Sequence, residues 1–364
     1  MLLATRNLAR DRTRLALSVT GVALAVMLIL LLGGYRAGIY RQTATYLDHV
    51  PGSLVVVERG VRDFLGTNSI LPSGVAQAAA ATPGTARVVP VLSQSAIVEL
   101  HGRKQLALLI GYEPGVGGGP WSLAEGREPA ADGEVVIDRV MASEHGIGLG
   151  DRITILDRGE TVVGLANGTS LWIGSLVFAR ASTIEALVRA PGARSFLFLT
   201  PAAGVSPDAL RLRLAIPGAD AVLKSDMIAA DQRLLARVYD AAIGLMTAIA
   251  FLVGVLVVGL VVYTATVERR REYGAFKAIG ARNRVLFRIV AFQALVAGTA
   301  GAALGTLLAV AAGWLLVAWR PQFPVAIEPS AVVLTLLASV AMAVLAALVP
   351  ARAMARLAPA EVFR

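Results

Sequence analysis

Cysteine is absent from the 364 residues, and histidine and lysine each occur three times. Without cysteine there is neither a disulfide framework nor a thiolate metal site. Lys104, Lys224 and Lys277 all lack the G-x-x-x-x-G-K-[ST] setting whose backbone amides cradle a phosphate. Any ATP hydrolysis tied to this chain is therefore expected to occur on another polypeptide. His49, His101 and His145 are dispersed and no H-E-x-x-H is present, so no metal site is expected. A G-x-S-x-G nucleophile elbow is missing too, and Asp132 and Glu134 read as turn and strand-end residues, not a catalytic pair. The expectation is a chain with no catalytic residue.

Apolar residues are what the sequence has in excess: 56% are hydrophobic and the mean hydropathy is +0.68. A soluble domain carries about 45–50% apolar residues even with glycine counted. The excess lies in four blocks, and about 20 apolar residues cross a bilayer core. The expected spans are 15–35, 241–263, 287–319 and 331–349. The first is longer than the ~7–15-residue core of a signal peptide and no small-x-small cleavage site follows, so a retained helix is expected. In the third, Gly301 and Gly305 lie four apart with Gly298 one turn earlier. Small residues at that spacing let helix backbones approach closely. Packing within the chain is the favoured use and a homodimer seam the alternative.

The net charge of +9 suggests a nucleic-acid partner until its distribution is read. Residues 1–14, 268–288 and 351–364 hold 14 Lys/Arg against 4 Asp/Glu, whereas residues 36–240 hold 19 against 20. Basic excess confined to the flanks of apolar spans is the positive-inside pattern, and its electrostatic partner is lipid headgroups. No nucleic acid is expected. The pattern predicts a cytoplasmic amphipathic lead-in helix at 1–14, an outer domain at 36–240, a cytoplasmic loop at 264–286, a short outer loop at 320–330 and a cytoplasmic tail at 350–364. Both termini then lie in the cytoplasm.

Residues 36–240 alternate short β-type runs with helical ones. Strands are expected at 53–58, 87–100, 105–112, 134–138, 151–156, 161–166 and 171–179, and helices at 72–81, 139–145 and 183–188. GVGGG at 115–119 marks a turn. The mixture predicts an α+β extracytoplasmic domain between the first and second of four transmembrane α-helices. DQRLLARVYD, 231–240, reads as a helical stalk running into the second span.

The cytoplasmic loop carries "ERRREYGAFKAIGARNRVLF", residues 268–287. Glu272, Tyr273, Phe276 and Ile279 fall at helical spacing and make a mixed aromatic face. Gly280 is placed as a C-terminal stop. Such a helix suits the lipid headgroup layer or a groove on a protein partner.

The stretch "ERRREYGAFKAIGA" resembles the segment after the second helix in FtsX-like permeases of ABC transporters, a superfamily that includes macrolide and haem exporters and lipoprotein-release permeases. Three further regions resemble that family in register: "ATRNLARDRTRLALSVTGVALAV" (4–26), "EGREPAADGEVVIDRVMASEHGIGLGDRITI" (125–155) with "VVG" (162–164), and "PARAMARLAPAEVFR" (350–364). Several relatives carry Glu early in the third helix where this chain has Gln293, and the tail ends in "AEVFR" where Leu-Arg is commoner. A neutral amide is less costly in lipid than a carboxylate. The resemblance implies a permease dimer, of this chain or with a close paralogue, in the bacterial cytoplasmic (inner) membrane. It also implies two cytoplasmic ATPase subunits that bind ATP and Mg, with 268–287 as the coupling helix that they grip through Glu272, Tyr273, Phe276, Lys277, Ile279 and Gly280. The cargo it implies is hydrophobic or amphipathic: a lipid, lipoprotein, haem or drug-like molecule. A periplasmic adaptor or hydrolase is a possible outer partner. Tyr35, Arg36, Tyr239, Asp240 and Met246 cluster near the expected outer ends of the first two spans, where a gate would lie; the ordinary use of such aromatics is an interfacial belt, and of Met a gap-filler. The alternative is a mechanotransmitting scaffold that activates an extracytoplasmic hydrolase or sensor and moves no substrate.

Overall fold

The computed structural model describes residues 12–172, 174–268, 271, 283–320 and 322–355. They divide into two compact units, one made of the chain before and including Gly38 together with Tyr239 onward, the other of Ile39–Val238.

The Ile39–Val238 unit is built on eleven strands: β1 (Leu54–Glu58), β2 (Thr85–Leu100), β3 (Arg103–Tyr112), β4 (Leu123–Gly126), β5 (Glu134–Asp138), β6 (Arg152–Ile155), β7 (Arg158–Ala166), β8 (Ser170–Leu171), β9 (Gly174–Arg180), β10 (Phe196–Pro201) and β11 (Ala219–Leu223). Four short helices join them: α2 (Val75–Ala81), α3 (Arg139–His145), α4 (Ala181–Val188) and α5 (Pro207–Arg213). The 16-residue β2 organises the sheet. Its first half pairs with β10, which runs on through β1 to β11. Its second half pairs with β3, followed by β9, β5 and β7. Because β6 pairs with both β7 and β2, this second set closes into a ring, with β4 added to β7 at the end of the strand order.

Three cores follow from the pleat. One packs α3 and α4 (Met141, Ala142, Ile184, Leu187) on alternate residues of the ring such as Val98, Leu109 and Val177. A second packs α2 and α5 (Val75, Ala79, Leu210) on Leu54, Val56, Leu197 and Leu199. The third lies on the remaining faces of both halves. There Phe178, Phe196 and Phe198 meet Tyr46, Phe64 and Met227, and Tyr46 stacks on Phe64 with ring centroids 5.0 Å apart. Fully burying each such ring contributes about 1.5–3 kcal/mol. This core therefore fixes the short 39–50 and 224–230 segments against the sheet.

Local chemistry explains the element ends. Asp138 accepts hydrogen bonds from the backbone N–H of Val140 and Met141 and caps α3, which stops at Gly146 in the left-handed region, φ 65°. Ser206 caps α5, with Pro207 at its first helical position. The β2–β3 connection is the two-residue turn His101–Gly102, both at positive φ, as a tight hairpin demands. Asp231 accepts from the N–H groups of Phe64 and Leu65, 3.0 Å each, and so holds the loop after β1.

Several expectations are corrected. The run 171–179 is two strands, β8 and β9, paired at Leu171 and Gly174. A side chain at 174 would collide with the Leu106 carbonyl. The helix expected from Pro72 begins at Val75, and that expected from Thr183 begins at Ala181. Strands β4, β10 and β11 and helix α5 were not expected. β10 is buried along Phe196–Leu199 between two neighbours, and a strand covered on both faces shows no alternation in its sequence. For α5 the signal was present: Ser-Pro-Asp at 206–208 is an N-cap followed by proline.

The other unit holds the long helices: parts of α1 (Arg12–His49) and α6 (Lys224–Glu268), with α7 (Asn283–Trp319) and α8 (Pro329–Ala355). All four are long and apolar enough to cross a membrane. At 1.5 Å per residue, a 45-residue α6 is about 67 Å long, roughly twice the hydrocarbon thickness. Small residues make their contacts. A side chain at Gly301 would come within 2.5 Å of Val22 Cβ, and one at Gly305 within 2.5 Å of the Ala23 carbonyl oxygen. Gly254 faces Met342 and Ala25, and Gly298 faces Ala343. The Gly301/Gly305 pair thus seats α1 of the same chain, the favoured reading of that motif. In lipid, where apolar burial gives no drive, such close backbone approach supplies the packing energy.

Candidate functional site

Of the residues singled out from sequence, Tyr35, Arg36, Tyr239, Asp240 and Met246 lie in the membrane unit. Arg36 and Asp240 form a two-pronged ion pair between α1 and α6: Nε donates to Oδ1 at 2.7 Å and Nη2 to Oδ2 at 2.8 Å. The planar guanidinium matches a carboxylate in this arrangement, and each charge is cancelled where the apolar stretch of its helix ends. Tyr35 packs on Phe323 of the α7–α8 connection, with centroids 6.1 Å apart. Tyr239 is likewise engaged. Met246 does not join this group. It is 54% exposed on α6 beside the apolar stripe Leu245, Ile249, Leu252, Leu256 and Leu260.

Residues 322–328 of the α7–α8 connection are fastened to the same place, which the sequence reading missed. Ala326 N–H donates to the Gly34 carbonyl at 2.8 Å. A side chain at Gly34 would press on Val325 and Ile327, one at Gly38 would collide with the Pro324 carbonyl, and one at Gly313 of α7 would touch Val325 at 3.2 Å. The available signal was the Gly34/Gly38 spacing at the end of the first apolar run. At this end of the unit α1 and α6 meet through the Arg36–Asp240 ion pair, and the connection is held to α1 by the Ala326–Gly34 hydrogen bond and close contacts at Gly34 and Gly38, and to α7 by a contact at Gly313.

The other set, Glu272, Tyr273, Phe276, Lys277, Ile279 and Gly280, lies outside the described residues. The described helices bracket it, α6 ending at Glu268 and α7 beginning at Asn283.

In the Ile39–Val238 unit most of the polar side chains singled out from the sequence are taken up by internal contacts, while Glu160 Oε2 and Asp231 Oδ2 have no hydrogen-bond partner among the described residues. Asp138, fully buried, accepts from Thr169 Oγ1 (2.7 Å) and Ser170 Oγ (2.8 Å) as well as from its two capping amides. Glu134 accepts from Arg127 and from Ala130 and Ala131 N–H. The Arg127 hydrogen bond, helped by Ala130, lowers its carboxyl to about 2. Asp132 accepts from the Ser182 hydroxyl. Burial raises the Glu160 carboxyl, and its Oε2 has no hydrogen-bond partner among the described residues. His49 stacks on Trp121 at 4.2 Å, and His101 lies 3.1 Å from the His145 carbonyl. Among the described residues no three His, Cys, Asp or Glu side chains gather as a metal site. These contacts cap helices and tie loops to the sheet.

Two family models match the chain: the MacB-like periplasmic core domain over residues 15–215 and the FtsX-like permease C-terminal region over residues 244–359. The chain is 26% identical over 350 residues to an uncharacterized ABC transporter permease of Mycobacterium tuberculosis, covering 93% of this chain and 94% of the relative. It is 31% identical over 117 residues to the macrolide export ATP-binding/permease protein MacB 1 of Yersinia pestis, covering 32% of this chain and 18% of that protein. Among solved structures, the extracellular domain of the transporter YknZ from Gram-positive bacteria matches with a TM-score of 0.37 at 11% identity, over 47% of this chain and 98% of that one. The chain belongs to the FtsX-like, MacB-type family of ABC transporter permeases. It is a multi-pass membrane protein with an α/β domain between its first and second spanning helices.

Proposed function

We propose that this chain is the membrane subunit of an ABC exporter, driven by separate cytoplasmic ATPase subunits that bind ATP and Mg. In this reading both termini and residues 264–286 are cytoplasmic, the membrane is the bacterial inner membrane, and residues 36–240 work on its far side. Closing of the ATPase pair presses on the 268–287 segment. Phe276 and Tyr273 anchor it in a groove on the ATPase, Ile279 adds apolar contact, Glu272 and Lys277 set its register, and Gly280 ends it. The movement passes along α6 towards the outer domain, and the cargo is a hydrophobic or amphipathic molecule. A permease dimer fits the exposed apolar stripe of α6.

The observation that carries the reading is the character of residues 268–287. They lie in sequence between two apolar runs of membrane-spanning length, are strongly basic with aromatics interspersed, and belong to a permease-family chain in which no lysine has a phosphate-cradle setting. A linker that short holds no domain of its own, so its aromatic face serves a partner or the lipid surface.

Sidedness tests this reading, and the absence of native cysteine makes the test clean. Lys277→Cys and Leu212→Cys, the latter at a position 81% exposed in the outer domain, are treated with a membrane-impermeant maleimide. On intact spheroplasts position 212 is expected to label and position 277 to stay dark; on inverted vesicles the two results exchange. Labelling of both from one side removes the proposed lever from the ATP-containing compartment.

A further inference from the structure

We propose that the outer end of the α7–α8 pair is a binding site for one anionic phospholipid, seated by an acyl chain in an apolar groove and by its phosphate on Arg320. The groove has a volume of about 740 Å³, within the ~300–1,000 Å³ range of small-molecule sites. α7 contributes Val310, Gly313, Trp314 and Val317, α8 contributes Val332 and Val333, and the connection forms one end. No charged or hydroxyl-bearing side chain lines it.

Three observations favour a lipid over other occupants. First, both walls are helices long and apolar enough to cross a membrane, which turns an exposed apolar groove on them towards lipid. Second, helical geometry continues past Val317. Arg320 N–H donates to the Leu316 carbonyl at 2.7 Å, which puts Arg320 one turn beyond Val317 on the row Val310–Gly313–Val317. Its side chain is exposed, and no carboxylate among the described residues pairs with it. A cation above an apolar slot matches the order of phosphate and tail in a lipid. Third, Trp314 and Trp319 are 75% and 82% exposed on the last turns of α7. Tryptophan takes such positions at the headgroup boundary, which sets the groove at acyl-chain depth. A second copy would bring a rod about 10 Å across, whereas the connection lying across one end suits a flexible chain. The bound lipid would wedge α7 against α8 where the glycine-seated connection joins them.

The full-length chain is reconstituted in vesicles of phosphatidylglycerol and phosphatidylcholine, with a trace of either lipid carrying a diazirine near the end of one acyl chain. After illumination, adducts of the phosphatidylglycerol probe are expected to concentrate on peptides containing 310–317 and 332–333. Val333→Trp, which fills the groove from an exposed position, should cut those adducts at least about fivefold while adducts on the α6 stripe persist. Arg320→Gln should reduce the preference for phosphatidylglycerol over phosphatidylcholine by about fivefold, the effect of one interfacial cation. Adducts spread evenly over all exposed helix faces, or unchanged by Val333→Trp, would overturn the site. Crosslinks between two chains at 310–333 in place of lipid adducts would do the same, since they make the groove a protein contact. An unchanged lipid preference in Arg320→Gln would overturn the headgroup assignment.

Discussion

Replacing Gly305 by leucine should prevent the membrane helices from assembling. The ideal Cβ position at 305 lies 2.5 Å from the Ala23 carbonyl oxygen and 2.8 Å from Val26 Cβ, both on α1. A backbone oxygen cannot rotate away, so α1 and α7 must separate, and the buried cluster to which Val22, Val26, Ala302 and Ala309 belong is opened by that movement. Overpacking usually costs 1–3 kcal/mol, and here the expected cost is at the top of that range, about 3 kcal/mol. The gain in helix propensity from removing a glycine, ~1 kcal/mol, does not offset it. Gly244→Leu is the matched control, because nothing lies within 4 Å of its Cβ position. Thermal unfolding and size-exclusion profiles in detergent should show the 305 variant aggregated or strongly destabilised and the 244 variant like wild type. If Gly305→Leu were folded and merely monomeric, the glycine pair would be a seam between copies instead.

Asp138→Ala is expected to unfold the Ile39–Val238 unit at or near growth temperature. One carboxylate there collects four hydrogen bonds in a fully buried position: two backbone amides of α3, one hydroxyl from Thr169 and one from Ser170. Removing it uncaps the helix, for ~1 kcal/mol, and leaves hydroxyls without their acceptor. An orphaned buried group costs about 1–3 kcal/mol. The total expected loss is about 3–5 kcal/mol, a large share of the 5–15 kcal/mol that holds a domain together. Asp138→Asn keeps an acceptor for the amides but puts an NH2 group where a hydroxyl must donate, so it should fall between the two. Denaturant titration of the detergent-solubilised chains, followed by tryptophan fluorescence, reads the order wild type, Asn, Ala. Equal midpoints for all three would show that the network contributes nothing.

The Asp138 case also shows why some of the molecule was legible in the sequence and some was not. EVVID announces a strand and D-R-V-M-A-S-E-H a capped helix, because both signals lie within a few neighbouring residues. Thr169 and Ser170 are some thirty residues away, and only the closed ring of strands brings them to the same carboxylate. β10 escaped for a different reason: buried on both faces, FLFL carries no alternation to read. In the membrane unit, hydropathy marked the four helices well. It had no means of indicating that Gly34 and Gly38 hold residues 322–328 of the α7–α8 connection. The Arg36–Asp240 pair was half visible, since each residue ends an apolar run, but its fork geometry needed the coordinates. The α6 helix runs to Glu268, past the apolar run that ends at 263, because backbone geometry does not stop where the apolar run stops.

The central claim is that chemical energy reaches this chain through residues 268–287 from a separate ATPase. ATP turnover in vesicles tests it most directly, with the ATPase alone, the permease alone, both together, and both with Phe276→Glu. The account predicts no turnover by the permease alone and clear stimulation when the two are combined. The Phe276→Glu variant should lose that stimulation by on the order of tenfold or more, as expected when an aromatic anchor of an interface is replaced by a charge. ATP hydrolysis by the purified permease unaided, or full stimulation with Phe276→Glu correctly inserted, would contradict it.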